Sequence, residues 1–244
     1  MSLVIPPAGN PVHYPAGESF QFDDEVAAIF ENMAERSIPM YREAHRIHAS
    51  MIGEMLSTRE HVGILDVGAS TGSFLHAVCK QAGAVRPKNV IYQALDSSEA
   101  MCKRLKERYP WITVTLADIT DPPVIDFRPD VVSMMYVLQF IPPHKKVAVL
   151  EWLHSIMPDE GIMFLGQKDI FHGGIGRVFQ DEYIKFRLAN GYTREEIDAK
   201  TEALKHSMWC STPYDLREIL YGIGFGLVLE TTRWLNFSTF ICVK

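Results

Sequence analysis

The sequence predicts an α/β fold built on a doubly wound, mostly parallel sheet of seven strands, with helices ahead of it and a helical insertion late in the chain. Three observations carry this prediction. From His61 onward, short β-rich runs alternate with helical segments; the turn Asp66-Val67-Gly68-Ala69-Ser70-Thr71-Gly72 follows the first run; and the alternation breaks only after the fifth. At 244 residues and 47% hydrophobic content, one domain over 21–244 is expected to bury a sizeable core behind a loose, Pro-rich segment, 1–20.

Taken in order, Asp23 to Arg36 and Tyr41 to Leu56 place apolar residues at helical spacing, with the join at Ser37-Ile38-Pro39 because proline interrupts a helix. Buried parallel strands are expected at Gly63 to Val67, Val90 to Leu95, Thr113 to Ala117, Asp130 to Met135 and Gly161 to Leu165. Between them come helices at Ser73 to Ala82, Ser98 to Arg108 and Lys145 to Met157, and a weaker, Pro-containing connection at Thr120 to Arg128. Gly173-Gly174 then leads into helical stretches from Arg177 to Ala189 and Arg194 to Ser207, an insertion over about 172–210. A helix at Pro213 to Tyr221 and an antiparallel pair, Gly226 to Glu230 with Leu235 to Val243, close the chain.

Composition narrows the function. A net charge of -6, from 24 basic and 30 acidic residues spread along the chain, argues against a non-specific grip on nucleic-acid phosphates. Cys79, Cys102, Cys210 and Cys242 contain no C-x-x-C pair, so they read as reduced core thiols and neither zinc nor a disulfide framework is expected. His144, His172 and His206 lack ligand spacing, and no metal is expected. The start of the chain, with four prolines and no apolar run flanked by basic residues, does not read as a signal peptide, which gives a cytoplasmic expectation. No apolar stretch approaches the roughly 20 residues that span a bilayer.

Gly68 and Gly72 stand where the first strand turns into the first helix, so a ligand can approach the backbone closely. The G-x-G-x-x-G spacing of dinucleotide sites is absent. An acid, Asp66, stands two residues before Gly68 instead; Asp96 ends the second strand and Asp118-Ile119 follows the third. Either Asp96 or Asp118 alone reads equally well as a helix cap. Three acids at three successive strand ends point to a ligand outside the carboxyl edge of the sheet.

The stretch Ile64-Leu65-Asp66-Val67-Gly68-Ala69-Ser70-Thr71-Gly72 resembles motif I of the class I S-adenosylmethionine-dependent methyltransferases, whose fold is Rossmann-like. That resemblance implies S-adenosylmethionine, or a carboxylated derivative of it, as cofactor. It places Asp66 and the backbone of Gly68 to Gly72 by the methionine end, Asp96 on the ribose, and Asp118 and Ile119 on the adenine, with Ser97 among the residues that line the rest of the cofactor. Within that superfamily the chain resembles the carboxy-S-adenosylmethionine synthases of tRNA wobble-uridine modification from Phe22 to Lys244. The matching segments are Ile29-Phe30-Glu31-Asn32-Met33, Arg36-Ser37-Ile38-Pro39-Met40-Tyr41, Leu138-Gln139-Phe140, Phe186-Arg187-Leu188-Ala189-Asn190-Gly191-Tyr192 and Trp234-Leu235-Asn236-Phe237, with Ser70 in the turn. This implies a homodimer, with Tyr41 at the methionine end.

Two positions depart from that branch. Its asparagine after the fourth strand and its arginine in the inserted helix fall here on Met135 and Thr201. A threonine cannot copy a bidentate guanidinium–carboxylate pair, a loss of about 1.5–3 kcal/mol in a water-poor site. Lys200, Arg194 and Arg233 are the candidate replacements. The expected function is therefore methyl transfer to a small-molecule acceptor. Tyr136, Gln139, Gln167, Lys168, Tyr192, Thr201 and Trp234 are the substrate-facing candidates, and no catalytic base is assigned. Two readings stay open beside it: synthase chemistry that takes a carboxyl group from prephenate, and a non-catalytic cofactor-binding dimer partner.

Overall fold

The computed structural model describes residues 20–85 and 89–244. Of the segment 1–20, all but Phe20 lies outside them. His61–Val67 (β1), Asn89–Asp96 (β2), Thr113–Leu116 (β3), Val131–Met135 (β4), Ile162–Lys168 (β5), Leu227–Trp234 (β6) and Phe237–Val243 (β7) form one sheet. Its order is β3-β2-β1-β4-β5-β7-β6. The first five strands run parallel, β7 runs antiparallel to β5, and β6 pairs antiparallel with β7. The chain winds outward from β1 to β3 and then returns to the far side of β1 at β4. That reversal opens the crevice in which such sheets hold ligands.

The central strands read as apolar runs because helices cover both faces; every residue of β4 is buried. On one face Ile64 and Phe164 pack with Phe74, Leu75 and Val78 of Ser73–Val85 (α3) and with Ala44 and Ile52 of Tyr41–Thr58 (α2). On the other, Leu65, Val132 and Phe240 pack with Leu150 and Leu153 of Pro143–Ile156 (α5) and Leu220 of Pro213–Ile223 (α8). Asp24–Ser37 (α1) starts at Asp23, whose carboxylate accepts from the Val26 N–H at 2.9 Å. Glu99–Arg108 (α4) is capped in the same way by Ser98, which accepts from the Met101 N–H at 3.2 Å. No helix of the described residues is long and apolar enough to cross a membrane.

The expected elements fall in place, with three differences. The inserted helix is Gly173–Ala189 (α6) and starts at its glycines, four residues before Arg177. Glycine there serves a close approach: a Cβ on Gly176 would lie 2.0 Å from the Phe171 carbonyl oxygen. The second inserted helix, Arg194–Leu204 (α7), begins in a capping box between Thr193 and Glu196 and stops short of Ser207. β6 extends through Trp234, because a bulge at Glu230/Thr232 lets pairing resume as far as the Leu235-Asn236 turn.

The insertion is bolted to the bend between α1 and α2. The Tyr183 hydroxyl on α6 donates to the Ser37 carbonyl (2.9 Å), Arg36 Nε donates to the Asn190 carbonyl (2.7 Å), and the Tyr192 and Ser37 hydroxyls share a hydrogen bond (2.9 Å). Lys200 on α7 also donates to the Ser37 hydroxyl (3.1 Å). Two segments about 150 residues apart thereby make one roof over the carboxyl ends of β1, β4 and β5. Tyr183→Phe withdraws a buried donor from this clamp. It is expected to lower the unfolding free energy by about 1–3 kcal/mol, read by urea denaturation.

Candidate functional site

The site begins at the turn between β1 and α3. Gly68 and Gly72 have φ values of +66° and +87°, and Ser70 takes +45°, so a serine occupies a left-handed position that glycine ordinarily fills. A Cβ on Gly68 would sit 2.3 Å from Val137 Cγ2. The N–H groups of Gly68 and Ala69 donate to the Leu95 carbonyl (2.8 and 3.0 Å), and the Ser70 N–H donates to Asp96 Oδ2 (2.7 Å). Asp96 Oδ1 accepts from the Ser98 N–H at 2.9 Å. A carboxylate has further lone pairs, so Asp96 retains capacity for hydroxyl donors.

Asp66 is fully inside. Its Oδ1 accepts from the Ser133 hydroxyl on β4, while its Oδ2 has no partner. Burial pushes this carboxyl up to about 7, opposed by the Ser133 bond and assisted by Asp96. An orphaned buried carboxylate oxygen is costly unless a donor or cation meets it. That fits an ammonium arriving at this point. Asp118 is exposed and accepts from the Thr120 N–H (2.8 Å), while Ile119 beside it is buried and lines the same space.

One cavity of about 590 Å³ runs from these strand ends to the underside of α6 and α7. Of the expected cofactor residues, Tyr41, Asp66, Gly68, Ala69, Ser70, Asp96, Ser97, Asp118, Ile119 and Met135 line it. Gly72 does not; it faces Tyr109 and Leu105 beneath the turn. Of the substrate-facing candidates, Tyr136, Gln139, Lys168 and Thr201 line it. Gln139 also ties the structure together, since its Oε1 accepts from the Lys168 N–H (3.0 Å) and its carbonyl from the Trp209 N–H (2.6 Å). Tyr136 holds φ at +63°, and its N–H donates to the Gly166 carbonyl (2.7 Å).

Three candidates point elsewhere. Gln167 bonds to Asp169 within the sheet edge, Tyr192 lies under Arg36 with its hydroxyl on Ser37, and Trp234 packs on Phe186 at 5.2 Å. The directions of Tyr192 and Trp234 depend on contacts with α1 and α6, which sequence spacing does not contain.

Among the candidate replacements for the missing arginine, Arg194 pairs with Asp198 on the surface and Arg233 is held by Asp169 and Glu230. Lys200 alone of the three reaches the cavity. Burial, then Arg187, Lys168 and Arg36, pull its ammonium down to about 7. Burial likewise draws Lys168 down to about 8. Arg187, not anticipated, lines the cavity next to them.

His45 was also missed. It lies one helical turn after Tyr41, with ring centroids 4.2 Å apart, and lines the cavity with Nε2 buried and unpartnered. Burial, with His48 adding, lowers it to about 3, so the ring is neutral. The i, i+4 spacing to Tyr41 was the available signal. Among the described residues, no group of three or more His, Cys, Asp or Glu side chains is arranged to hold a metal ion.

Comparison with known proteins places these features in context. Residues 64–161 match a methyltransferase domain family. The chain is 30% identical over 235 residues to the carboxy-S-adenosyl-L-methionine synthase of Nautilia profundicola, covering 94% of this chain and 97% of that protein. It is 31% identical over 234 residues to the synthase of Nitratiruptor sp., covering 94% and 95%. The fold resembles that of a plantazolicin methyltransferase solved with a triazolic desmethyl analogue and SAH: TM-score 0.62, 14% identity, 90% of this chain and 91% of that one.

Two outcomes follow from this geometry. Gly68→Ala meets both the positive φ and the Val137 contact, and is expected to cost on the order of 2–4 kcal/mol in thermal or urea unfolding. For Lys200, the unfolded chain binds a proton that the folded chain sheds between about pH 7 and its ordinary value of 10.5. Its contribution to stability therefore rises with pH across that window and is lost as pH falls toward 7. Lys200→Met removes this dependence. The ligand-free variant is expected to hold its largest stability advantage over the native chain near pH 7 and to lose it by up to about 1.4 kcal/mol per pH unit toward pH 9.

Proposed function

The chain belongs to the carboxy-S-adenosyl-L-methionine synthase family of the class I S-adenosylmethionine-dependent methyltransferases, and from that premise we propose that it joins the activated end of S-adenosylmethionine to a small molecule. The observation that carries this reading is the continuity of one cavity. It links the acids at the ends of β1, β2 and β3 to the region under the insertion, and about 590 Å³ lies inside the usual range of ~300–1,000 Å³ for small-molecule sites.

In this reading Asp66 Oδ2 meets the methionine ammonium, Asp96 the ribose hydroxyls, and Asp118 with Ile119 the adenine. Tyr41 and Met135 flank the sulfonium end. The cofactor supplies a methyl carbon on a positively charged sulfur that keeps the bonding electrons when the methyl leaves. What the chain supplies is position and dryness. The aromatic wall of Phe22 and Phe140, with rings 5.5 Å apart, and the roof of α6 and α7 border the cavity on the side away from the strand ends. The acceptor atom must be held about 3–3.5 Å from the methyl carbon, in line with the breaking bond.

A second reading is formation of carboxy-S-adenosylmethionine, the product in the relatives' name. It is favoured by about 30% identity over nearly the full length of both chains. There a carboxyl carbon would pass from a donor acid to the methyl carbon: the electron pair of the donor's broken carbon–carboxyl bond would take up, directly or through a leaving hydroxide, the proton that the methyl carbon gives up. A homodimer in the cytoplasm forms part of the same proposal.

Mass spectrometry of small molecules released from the denatured, purified protein separates the readings. S-adenosylmethionine or S-adenosylhomocysteine without a carboxylated form is the outcome expected for methyl transfer. Release of carboxy-S-adenosylmethionine establishes the second reading, and no adenosyl compound, together with no binding of added S-adenosylmethionine, rejects both.

A further inference from the structure

β4 reads Val131-Val132-Ser133-Met134-Met135, one hydroxyl in a strand that is buried throughout. Ser133 is 0% exposed, and a hydroxyl taken out of water is costly unless it finds a partner. In the parallel register Ser133 stands beside Asp66 of β1, and its hydroxyl donates to Asp66 Oδ1. The serine does not line the cavity; Asp66 does. A small apolar side chain would fill the same space in the core without needing a partner, so the hydroxyl on this strand is explained by the carboxyl it meets.

The groups around Asp66 set the cost of its charge. From β2 comes a second acid, Asp96, whose carboxylate accepts from the N–H groups of Ser70 (2.7 Å) and Ser98 (2.9 Å). From α2 comes the Tyr41 hydroxyl, which burial keeps neutral. From β4 comes Ser133. Among the described residues, no cation lies within 4 Å of the Asp66 carboxyl, and Oδ2 is buried without a partner. Two neighbouring acids in a water-poor site do not both ionise cheaply, and the backbone donors favour the charge on Asp96. Asp66 is therefore the one that holds a proton. The donated hydroxyl works the other way, since it stabilises the carboxylate, and the balance leaves Asp66 at about 7. Without Ser133, burial and Asp96 act unopposed.

We infer that Ser133 is a positioning residue for the cofactor: by donating to Oδ1 it leaves Oδ2 for the incoming ammonium and lets Asp66 give up its proton as that ammonium binds. The inference rests on reading the cavity as the cofactor site. The O–H bond of the Asp66 carboxyl breaks, its electron pair stays on the carboxylate, and the proton leaves to the buffer. The ammonium keeps its own protons and donates to Oδ2 in a charge-assisted bond. Below about pH 7 binding must first remove the proton, so affinity rises with pH through that range and levels off above it.

Isothermal titration of S-adenosylhomocysteine into the full chain, from about pH 5.5 to about pH 9, tests it. This probe keeps the cofactor's ammonium and has no methyl group to transfer. For the native protein, affinity is expected to rise about tenfold per pH unit below pH 7, and heats at pH 6 in two buffers of different ionisation enthalpy give close to one proton released per ligand. A hydrogen bond to a charged group corresponds to about one to two pH units. Ser133→Ala therefore weakens binding by about 5- to 50-fold at pH 7, and its levelling-off point moves up by that amount, so that the two proteins agree within about twofold near pH 9. Ser133→Thr, which keeps the hydroxyl, restores the native profile. If Ser133→Ala does not fold, Ser133→Cys, a weak donor of similar size, shows a shift of the same sign. Lys168, Lys200 and the probe's own ammonium also titrate, but they are common to all these proteins, so the difference between profiles belongs to Asp66.

Native and Ser133→Ala profiles that run parallel across the whole range, whether offset or superimposed, overturn the inference and leave Ser133 a core residue. A native chain that binds the probe at pH 6 with no proton released overturns it as well. If neither S-adenosylhomocysteine nor S-adenosylmethionine binds the native chain at any pH, the cofactor reading fails and takes this role with it, an outcome distinct from binding with parallel profiles.

Discussion

The left-handed turn at Gly68 to Ser70 is the constraint on which the rest of the site depends. With no Cβ on Gly68, the chain passes directly against Val137, which follows β4. The same turn hands its N–H groups to the Leu95 carbonyl and the Asp96 carboxylate at the end of β2. Three strand ends are thus held by one backbone conformation. Asp66 and Asp96 converge because of it, and Asp66 is buried deeply enough to lose ordinary acidity. Ser70, in a conformation glycine adopts more readily, shows that side-chain freedom has been given up locally for this geometry.

The cavity carries acidic side chains at one end and basic side chains at the other. Asp66, Asp96 and Asp118 lie along the strand edge, while Lys168, Arg187 and Lys200 lie beneath the insertion. In a water-poor interior such a division acts more strongly than the same charges at a surface. The roof exists only because α6 and α7 are pinned to Ser37 and Arg36 across the sheet edge.

Much of the architecture was legible beforehand. Strand runs such as Val131 to Met135 are apolar because both faces are covered, and the acids Asp66, Asp96 and Asp118 were identifiable by standing at strand ends. Gly72, Gln167, Tyr192 and Trp234 show the limit. Each sits beside a residue that lines the cavity or in a matching segment, yet Gly72 lies against Tyr109 and Leu105 and the other three side chains turn to other partners. Thr201 and Lys200 make the same point at one-residue resolution: alignment by position marked a lost charge, whereas rotation about the helix returned one.

By itself the sequence determined the order of elements, the glycine turn with its acids, and the departures at Met135 and Thr201, because periodicity and backbone permissiveness are local properties. Tertiary structure alone decided which side chains share the cavity. Its contribution was the neutral His45 beside Tyr41 and the group of Lys168, Arg187 and Lys200. The reason is physical: charge burial and side-chain direction are set by contacts between segments as distant as Ser37 and Lys200, and no local pattern encodes them.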